Sequence, residues 1–496
     1  MNKKLALIPV DARPVTRELP TQIAAIADWE VLVPDKDQLG FLKEPGKTSE
    51  LATWLLAVAE EVDGFVISTD MLGYGGLVPS RINQDNEAVI RERIEILQEL
   101  NRKFPHKKIM AFSATMRISN NYVNEEEKEY WSEYGEELWS YSYHSHRYEK
   151  TNCTDSKDKV AALVAVIPNS ILQDYKATRE KNFNVNLSMF DLVESGVIDV
   201  LIFPQDDTSE YGLNIREQES LVREVAKRSL FSKVFIYPGA DEVASVLIAR
   251  MIYALENVTP PVFFPVFSGE KGALSTAMYE DRPLVESVKG QIYAFGSYIL
   301  ESSVDADIVL GVNVPGKRQG DLALQKFLEE VDTQDRNIGE WILRLQHYLK
   351  KGKAVAIADV AYANGADGAL IPRLLESMNI GALCGFAAWN TAGNTLGTVV
   401  AQAAMVHLQQ VKGDEFQSRL LEQLTLRLLD DYLYQTVVRQ EVRTVVNDQD
   451  PALASIVSAV FNKRANEFLQ KLEVNYEIHN LYLPWNRTFE IGIELK

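Results

Sequence analysis

The sequence predicts an α/β protein in which buried parallel strands alternate with helices. Short apolar runs rich in Val, Ile and Phe recur through residues 1–410 of the 496-residue chain, and stretches with helical periodicity separate most of them. Strands that are apolar on both faces are typical of parallel sheets covered by helices on both sides. The composition agrees, because 46% hydrophobic and 24% charged residues are close to the average of globular proteins.

Eleven apolar runs are candidate strands, and they lie at residues 5–10, 31–34, 64–69, 108–113, 197–204, 233–238, 261–268, 291–296, 306–313, 354–359 and 382–389. Helical periodicity is clearest at 48–61, 87–104, 216–227 and 241–255. Eleven strands exceed the eight of a TIM-like barrel. The count therefore favours two doubly wound, Rossmann-like lobes of six and five strands over a barrel with a subsidiary sheet.

Changes of pattern along the chain predict the domain boundaries. Residues 1–258 form the first lobe, interrupted at about 117–186 by a helical insertion rich in aromatic and acidic residues, and residues 259–410 form the second. Residues 411–496 lack the βα rhythm and read as a helical C-terminal extension that ends in a β-hairpin over 475–483 and 489–495. A connection as long as the insertion is usually a lid or a small subdomain.

The charge and the cysteines restrict the class of protein. The formal net charge of −19 and the pI near 4.9 argue against binding to nucleic acid, which needs a concentrated basic surface, and against anionic membranes. Cys153 and Cys384 are too few and too far apart for a disulfide framework. The apolar run near the N-terminus is too short for a secretory signal, and no run is long enough to span a bilayer. We therefore expect a cytoplasmic protein.

Polar residues follow almost every predicted strand. Ligands of parallel sheets bind at the carboxyl ends of the strands, so these residues are the candidates for substrate binding and catalysis. For each one alone, helix N-capping is the competing interpretation. The candidates are Asp11, Arg13, Asp70, Tyr74, Arg81, Arg117, Asp206, Asp207, Asp241, Glu242, Asn313, Asp359, Asn364, Asp367, Trp389, Asn390 and Asn394.

The adjacent carboxylates Asp206 and Asp207 are the sharpest local signal. Neighbouring side chains that leave a strand point in different directions, so one carboxylate can face a substrate while the other orients it or binds a metal. Crowded carboxylates also raise one pKa toward neutrality, as a general acid requires. Asp241 and Glu242 form a second pair, although Glu242 in a first helical turn also favours the helix dipole.

Other chemistries find less support in the sequence. His144 and His146 are the only close histidine pair, and they lie in the polar insertion. The glycine-rich turns at 73–77 and 390–397 fit neither the dinucleotide fingerprint nor the Walker A pattern. Trp389 beside amide side chains is suited to stacking on a sugar, with core packing as the alternative. We expect no cofactor, except Mg²⁺ or Mn²⁺ if the carboxylates act as metal ligands.

Several motifs resemble, in the same order, those of a bacterial family known as domain of unknown function 4127. The resemblance covers nearly the whole chain. It implies family membership without implying a chemistry. The matching stretches are Asp11-Ala12-Arg13-Pro14, Ser68-Thr69-Asp70-Met71-Leu72, Tyr74-Gly75-Gly76-Leu77, Ser80-Arg81, Ala111-Phe112-Ser113, Met116-Arg117, Asp206-Asp207, Tyr211-Gly212, Pro238-Gly239-Ala240-Asp241-Glu242, Tyr279-Glu280-Asp281, Ala363-Asn364-Gly365-Ala366-Asp367 and 389–397.

The strand ends also look similar to those of barrel-type β-N-acetylglucosaminidases, which use substrate-assisted hydrolysis. That similarity implies that one of Asp206 and Asp207 steers an acetamido group while the other protonates the leaving oxygen. Asp367, Asn390 or Asn394 would then hold sugar hydroxyls.

We therefore expect a glycosidase-like hydrolase that acts on a small amino-sugar-containing substrate through Asp206 and Asp207. A metal-dependent hydrolase or lyase and a non-enzymatic two-lobed binding protein are the alternatives. The expected partner is a small molecule, with neither nucleic acid nor membrane, and homo-oligomerisation stays open.

Overall fold

The structure is a computed structural model that describes residues 2–496. Its strands are β1 (Lys4–Ile8), β2 (Glu30–Leu32), β3 (Gly64–Ser68), β4 (Lys108–Phe112), β5 (Val200–Gln205), β6 (Val234–Pro238), β7 (Phe263–Phe267), β8 (Ile308–Asn313), β9 (Gly320–Asp321), β10 (Ala354–Asp359), β11 (Tyr362–Ala363), β12 (Gly385–Ala387), β13 (Ile478–Tyr482) and β14 (Gly492–Leu495).

Helices connect most of the strands. They are α1 (Pro14–Ile26), α2 (Thr48–Val58), α3 (Thr69–Tyr74), α4 (Leu77–Ile82), α5 (Glu87–Ile94), α6 (Ile96–Lys103), α7 (Trp131–Thr151), α8 (Thr154–Val166), α9 (Asn169–Glu194), α10 (Leu213–Lys227), α11 (Val243–Glu256), α12 (Glu270–Ala273), α13 (Leu284–Phe295), α14 (Ile338–Lys350), α15 (Leu370–Ser377), α16 (Ala392–Lys412), α17 (Gln417–Arg427), α18 (Arg439–Arg443) and α19 (Leu453–Lys471). A π-helix, Leu428–Val438, joins α17 to α18.

The chain divides into two compact units. Unit 1 comprises residues 1–12, 31–244 and 279–281, and unit 2 comprises residues 13–30, 245–278 and 282–496. Each unit contains a parallel sheet, and among residues 2–496 no sheet closes into a barrel. The predicted α/β class with parallel sheets of alternating βα units is thus confirmed, and the barrel alternative is not.

A six-stranded sheet in the order β2-β1-β3-β4-β5-β6 forms the centre of unit 1. The pairs from β1–β3 to β5–β6 are parallel, and β3 and β5 are buried along their whole length. Helices cover both faces of the sheet, and this explains why the sequences of β3 and β5 are continuously apolar. The strand order reverses between β1 and β3, and such a switch point opens a crevice at the carboxyl ends of those strands.

The predicted insertion is helical and builds a small core of its own. Helix α7 contributes Trp131 and Leu138 and helix α9 contributes Leu172 and Tyr175 to a hydrophobic cluster, which also contains Met116 from the segment after β4. The aromatic residues that mark this region in the sequence are therefore packed inside it. The insertion rests on the same segment that carries Arg117.

Unit 2 contains a four-stranded parallel sheet in the order β12-β10-β8-β7. Strands β13 and β14 form the predicted antiparallel hairpin. One predicted strand is wrong: residues 291–296 belong to α13 and its C-cap. A short apolar run does not distinguish a strand from a buried helical segment, and the alternation of buried and partly exposed residues here follows a helix.

Among the described residues 2–496, no helix is long and apolar enough to cross a membrane.

Candidate functional site

The carboxyl edge of the unit 1 sheet gathers five of the predicted site residues. Asp70 lies in the first turn of α3, which Ser68 at the end of β3 caps by accepting a hydrogen bond from the Met71 amide. Arg81 lies in the last turn of α4, Arg117 follows β4, and Asp206 and Asp207 follow β5. Neighbouring parallel strands bring these positions to one edge, as the sequence predicts.

Arg81 forms the buried centre of this group. Its Nη2 lies 2.7 Å from Oδ2 of Asp206, and its Nη1 lies 3.1 Å from Oε2 of Glu126. The Arg81 side chain is 1% exposed, so it is removed from water and depends on these carboxylates. Nη1 also donates to the backbone carbonyl of Glu126 at 3.3 Å. The guanidinium thus ties the end of β5 to the start of the helical insertion.

Arg117 binds the second aspartate of the pair. Its Nη1 lies 3.1 Å from Oδ2 of Asp207, its Nη2 lies 3.0 Å from Oε2 of Glu126, and its Nε lies 3.0 Å from Oε1 of Glu127. Glu126 therefore accepts from both guanidinium groups. Two arginines face four carboxylates, which leaves an excess of negative charge.

Asp206 and Asp207 are held by arginines and do not cap a helix, since the next helix, α10, has Gly212 at its N-cap. Asp207 has a φ of 31°, in the left-handed region that a non-glycine residue adopts at a cost. The pKa of Asp207 is raised to about 7, because burial and the charge of Asp206 raise it more than Arg117 lowers it. Its side chain keeps 27% exposure, so a solute can still reach it.

Asp70 lies deeper than the aspartate pair. Its Oδ2 accepts a hydrogen bond of 2.9 Å from the Ala114 amide, and the residue is 3% exposed. Burial raises the pKa of Asp70 to about 7, although the Ala114 bond and the charge of Arg81 lower it. The Asp206 charge acts on Asp70 as well, which places the two carboxyls in one electrostatic environment.

The four other predicted residues of unit 1 are all buried. Asp11 follows β1 and is 6% exposed. The ring of Tyr74 belongs to the hydrophobic core of the unit. Asp241 and Glu242 follow β6, the neighbour of β5, and both are buried.

Unit 2 holds a second buried polar cluster, at the ends of β8 and β10. Nδ2 of Asn313 donates to Asp359 at 2.9 Å and to Asp367 at 3.0 Å. Asp367 also pairs with Arg336 at 2.8 Å, and its amide donates to Asp359 at 2.7 Å. Burial and the charge of Asp367 together raise the pKa of Asp359 to about 7.

The π-helix packs against the loop that carries Asn364. Asp431 accepts hydrogen bonds from the Ala388 amide at 2.7 Å and from Arg427 at 2.9 Å. Burial raises its pKa to about 7, Arg427 lowers it, and Asp430 raises it. Asn364 and Asn390 both have positive φ, and the Asn364 amide donates to the Asn390 carbonyl at 2.8 Å. Long π-helices are rare and are often found at functional sites.

Three further predicted residues of unit 2 make contacts of other kinds. The guanidinium of Arg13 lies 4.6 Å from the centre of the Trp485 ring. Trp389 is 5% exposed and contacts Phe489 edge to face, with ring centres 6.2 Å apart. The Asn394 amide donates to the Thr391 hydroxyl that caps α16.

The described side chains are not arranged as a metal site. Within residues 2–496 no group of three or more His, Cys, Asp or Glu side chains is arranged to hold a metal ion. In unit 1 Asp206, Asp207, Glu126 and Glu127 are instead bound to guanidinium groups.

Comparison with known families identifies the chain at the family level. The family described as a protein of unknown function, DUF4127, matches residues 5–494. The chain belongs to this family. No curated protein and no solved structure gives a significant match. The similarity to β-N-acetylglucosaminidases is therefore not supported by any matched relative.

The family match over residues 5–494 includes both polar clusters. Sequence reasoning missed five members of these clusters, namely Glu126, Glu127, Arg336, Arg427 and Asp431. The acidic run 125–127 lies in the predicted insertion, and Glu127 within it is 3% exposed. The adjacent pair Asp430 and Asp431 repeats the pattern of Asp206 and Asp207, and that repetition was the available signal.

Proposed function

We propose that this DUF4127 protein is a carbohydrate-active hydrolase, a glycosidase that acts on a small amino-sugar-containing substrate. The observation that carries the proposal is the arginine-bound pair Asp206 and Asp207 at the carboxyl end of β5. Carboxyl pairs are the usual catalytic groups of glycoside hydrolysis. Asp207 is the general acid, because it is partly exposed and its pKa of about 7 keeps a proton available near neutral pH.

Asp206 supplies the second carboxyl group. Arg81 fixes its Oδ2 at 2.7 Å, so the orientation of the carboxylate is set before a substrate arrives. In a substrate-assisted reaction this group would steer the acetamido oxygen toward the anomeric carbon. The proton of Asp207 would go to the leaving oxygen as the glycosidic bond breaks.

The charge of the site favours the proposed substrate class. Glu126, Glu127, Asp206 and Asp207 outnumber the two arginines that bind them. An excess of negative charge attracts amines and accepts neutral sugars, and it repels phosphorylated or carboxylated ones. The proposed partner is thus a small neutral or amine-bearing sugar. A cytoplasmic location is part of the same proposal and rests on the low cysteine content.

The test is a screen of the purified protein against chromogenic glycosides of glucosamine, N-acetylglucosamine, galactosamine and glucose. We expect turnover of at least one amino-sugar glycoside, with the same rate in the presence of a chelator. Loss of activity in chelator would instead favour the metal-dependent alternative. Binding of a sugar by thermal shift, with no turnover of any glycoside, would contradict the hydrolase proposal and favour a binding protein.

A further inference from the structure

The helical insertion of unit 1 contains a pocket that is separate from the carboxyl edge of the sheet. Helices α7, α8, α9 and α10 enclose about 810 Å³. Cavities of about 300–1,000 Å³ are the usual size for small ligands. Tyr141, Val160, Phe183 and Leu213 supply apolar lining, and several charged residues lie among them.

One cation in this lining has no counter-charge. Lys176 places its ammonium 5.0 Å from the centre of the Tyr141 ring, and among residues 2–496 it forms no ion pair with a carboxylate. Of the other charged residues in the lining, Arg179 pairs with Glu217 at 2.6 Å, Arg216 with Glu149 at 3.0 Å and Arg223 with Glu219 at 3.8 Å. The remaining carboxylate, Glu180, is exposed to solvent. Lys176 is therefore a cation without an ion pair beside an apolar surface.

A polar atom in the same lining also lacks a partner. The hydroxyl Oγ of Ser145 is buried and forms no hydrogen bond within the described part of the chain. A buried hydroxyl without a partner is costly, and a ligand oxygen would satisfy it. A carboxylate has two oxygens, which suit one ammonium and one hydroxyl.

The pocket is connected to the aspartate pair through Arg179. Besides Glu217, its guanidinium donates to the carbonyls of Met116 at 2.8 Å and Arg117 at 3.1 Å. Arg117 in turn binds Asp207. A change in the position of Arg179 would thus alter the backbone that carries the partner of Asp207.

We propose that this pocket binds a small organic monocarboxylate with an apolar body, and that its occupancy is transmitted through Arg179 to Arg117. Lys176 neutralises the carboxylate, Ser145 donates to it, and Phe183 and Leu213 cover its apolar part. The binding half of the proposal is independent of the proposed hydrolase activity. The transmission half concerns the environment of the Asp207 carboxyl group and rests on the proposed role of Asp207 as the general acid.

Calorimetry with hexanoate and benzoate tests the binding half, with the neutral hexanamide and benzamide as matched ligands. We expect both carboxylates to bind, the amides to bind at least tenfold more weakly, and Lys176→Gln to weaken carboxylate binding roughly tenfold. Lys157→Gln, at an exposed position of α8 outside the pocket, is the control and should bind as the unaltered protein does. Three outcomes would overturn the binding half of the proposal: no binding of either carboxylate, equal binding of amides and carboxylates, or an unchanged affinity of Lys176→Gln for the carboxylates.

Carbon NMR of the Asp207 carboxyl, assigned with Asp207→Asn, tests the transmission half without any assay of activity. Saturation with hexanoate should shift the titration midpoint of Asp207, and the shift should disappear in Lys176→Gln. A midpoint that does not move on saturation would overturn the transmission, whatever the hydrolase screen gives.

Discussion

The guanidinium of Arg117 binds Asp207 at 3.1 Å while it also binds Glu126 and Glu127, each at 3.0 Å. Its positive charge is thus shared among three carboxylates. It stabilises the ionised form of Asp207 only in part, because burial opposes it. The balance leaves a carboxyl group that titrates near neutrality and is still in reach of a solute.

The pH dependence of activity follows from this balance. A general acid acts in its protonated form, so kcat/KM should fall as the pH rises through the Asp207 pKa of about 7. Arg117→Gln removes a charge that lowers this pKa, and the alkaline fall should move to higher pH. The pH–rate profiles of the two proteins check this, with Arg228→Gln, in an ion pair remote from the cluster, as control. An unmoved alkaline limb in Arg117→Gln would count against Asp207 as the acid.

Arg81 should be important for stability because its side chain is 1% exposed and binds two carboxylates. Arg81→Met leaves these charges without their partner, and we expect the free energy of unfolding to fall by about 3–5 kcal/mol. Arg228→Met removes three more exposed ion pairs, with Asp191, Glu194 and Glu224, and should cost about 1 kcal/mol or less. Urea denaturation of both variants measures the difference. If both variants lost the same free energy of unfolding, the buried cluster around Arg81 would contribute no more to stability than the more exposed ion pairs of Arg228.

Asp70 should make stability depend on pH. Its pKa is raised to about 7 in the folded protein, against an ordinary value of about 4, so folding holds a proton that the unfolded chain releases. This contribution is fully present below about pH 4 and is lost as the pH rises to 7. Asp70→Asn cannot titrate, so its unfolding free energy should fall less than that of the unaltered protein over this range.

Denaturation at several pH values between about 4.5 and 8 checks this prediction. Asp191→Asn, which alters an exposed carboxylate, should keep the pH dependence of the unaltered protein. Parallel curves for the unaltered protein and Asp70→Asn would show that Asp70 is ionised in the folded state.

Gly365 is required by the loop that packs on the π-helix. Its φ of 145° is outside the range of ordinary residues, and an added Cβ would lie 2.9 Å from Leu322 and 3.0 Å from the Thr436 hydroxyl. Gly365→Ala should therefore lower the free energy of unfolding by about 1–3 kcal/mol. Gly368→Ala, in the same loop with open space around it, is the matched control and should change stability little. Thermal unfolding of the two variants measures this difference in stability.

Much of the fold could be predicted because the buried strands of both sheets are short apolar runs between helical stretches. The error at 291–296 has a physical cause: the apolar residues around Ile292 are buried by a helix, and over a few residues burial looks the same in a helix and a strand. The π-helix lies within the predicted helical extension, and its sequence does not distinguish it from an α-helix because it keeps a helical distribution of apolar residues.

The candidate site could be predicted only where it lies at strand ends. Asp70, Arg81 and Asp206 are close together because neighbouring strands place them there. Glu127 reaches the cluster from the insertion, and Asp431 reaches Ala388 over 43 residues of chain. Such long-range contacts leave no local pattern in the sequence. A run of charged residues is therefore interpreted as solvent-exposed surface until its partners are known.

The central claim is that Asp207 donates the proton, and the turnover of Asp207→Asn on a hydrolysed glycoside tests it most directly. Asparagine has nearly the same shape but cannot supply the proton, so we expect kcat to fall by about 10²–10⁴-fold with the far-UV spectrum unchanged. Asp191→Asn should keep the full rate. A folded Asp207→Asn protein with unaltered kcat across the panel of glycosides would contradict the account.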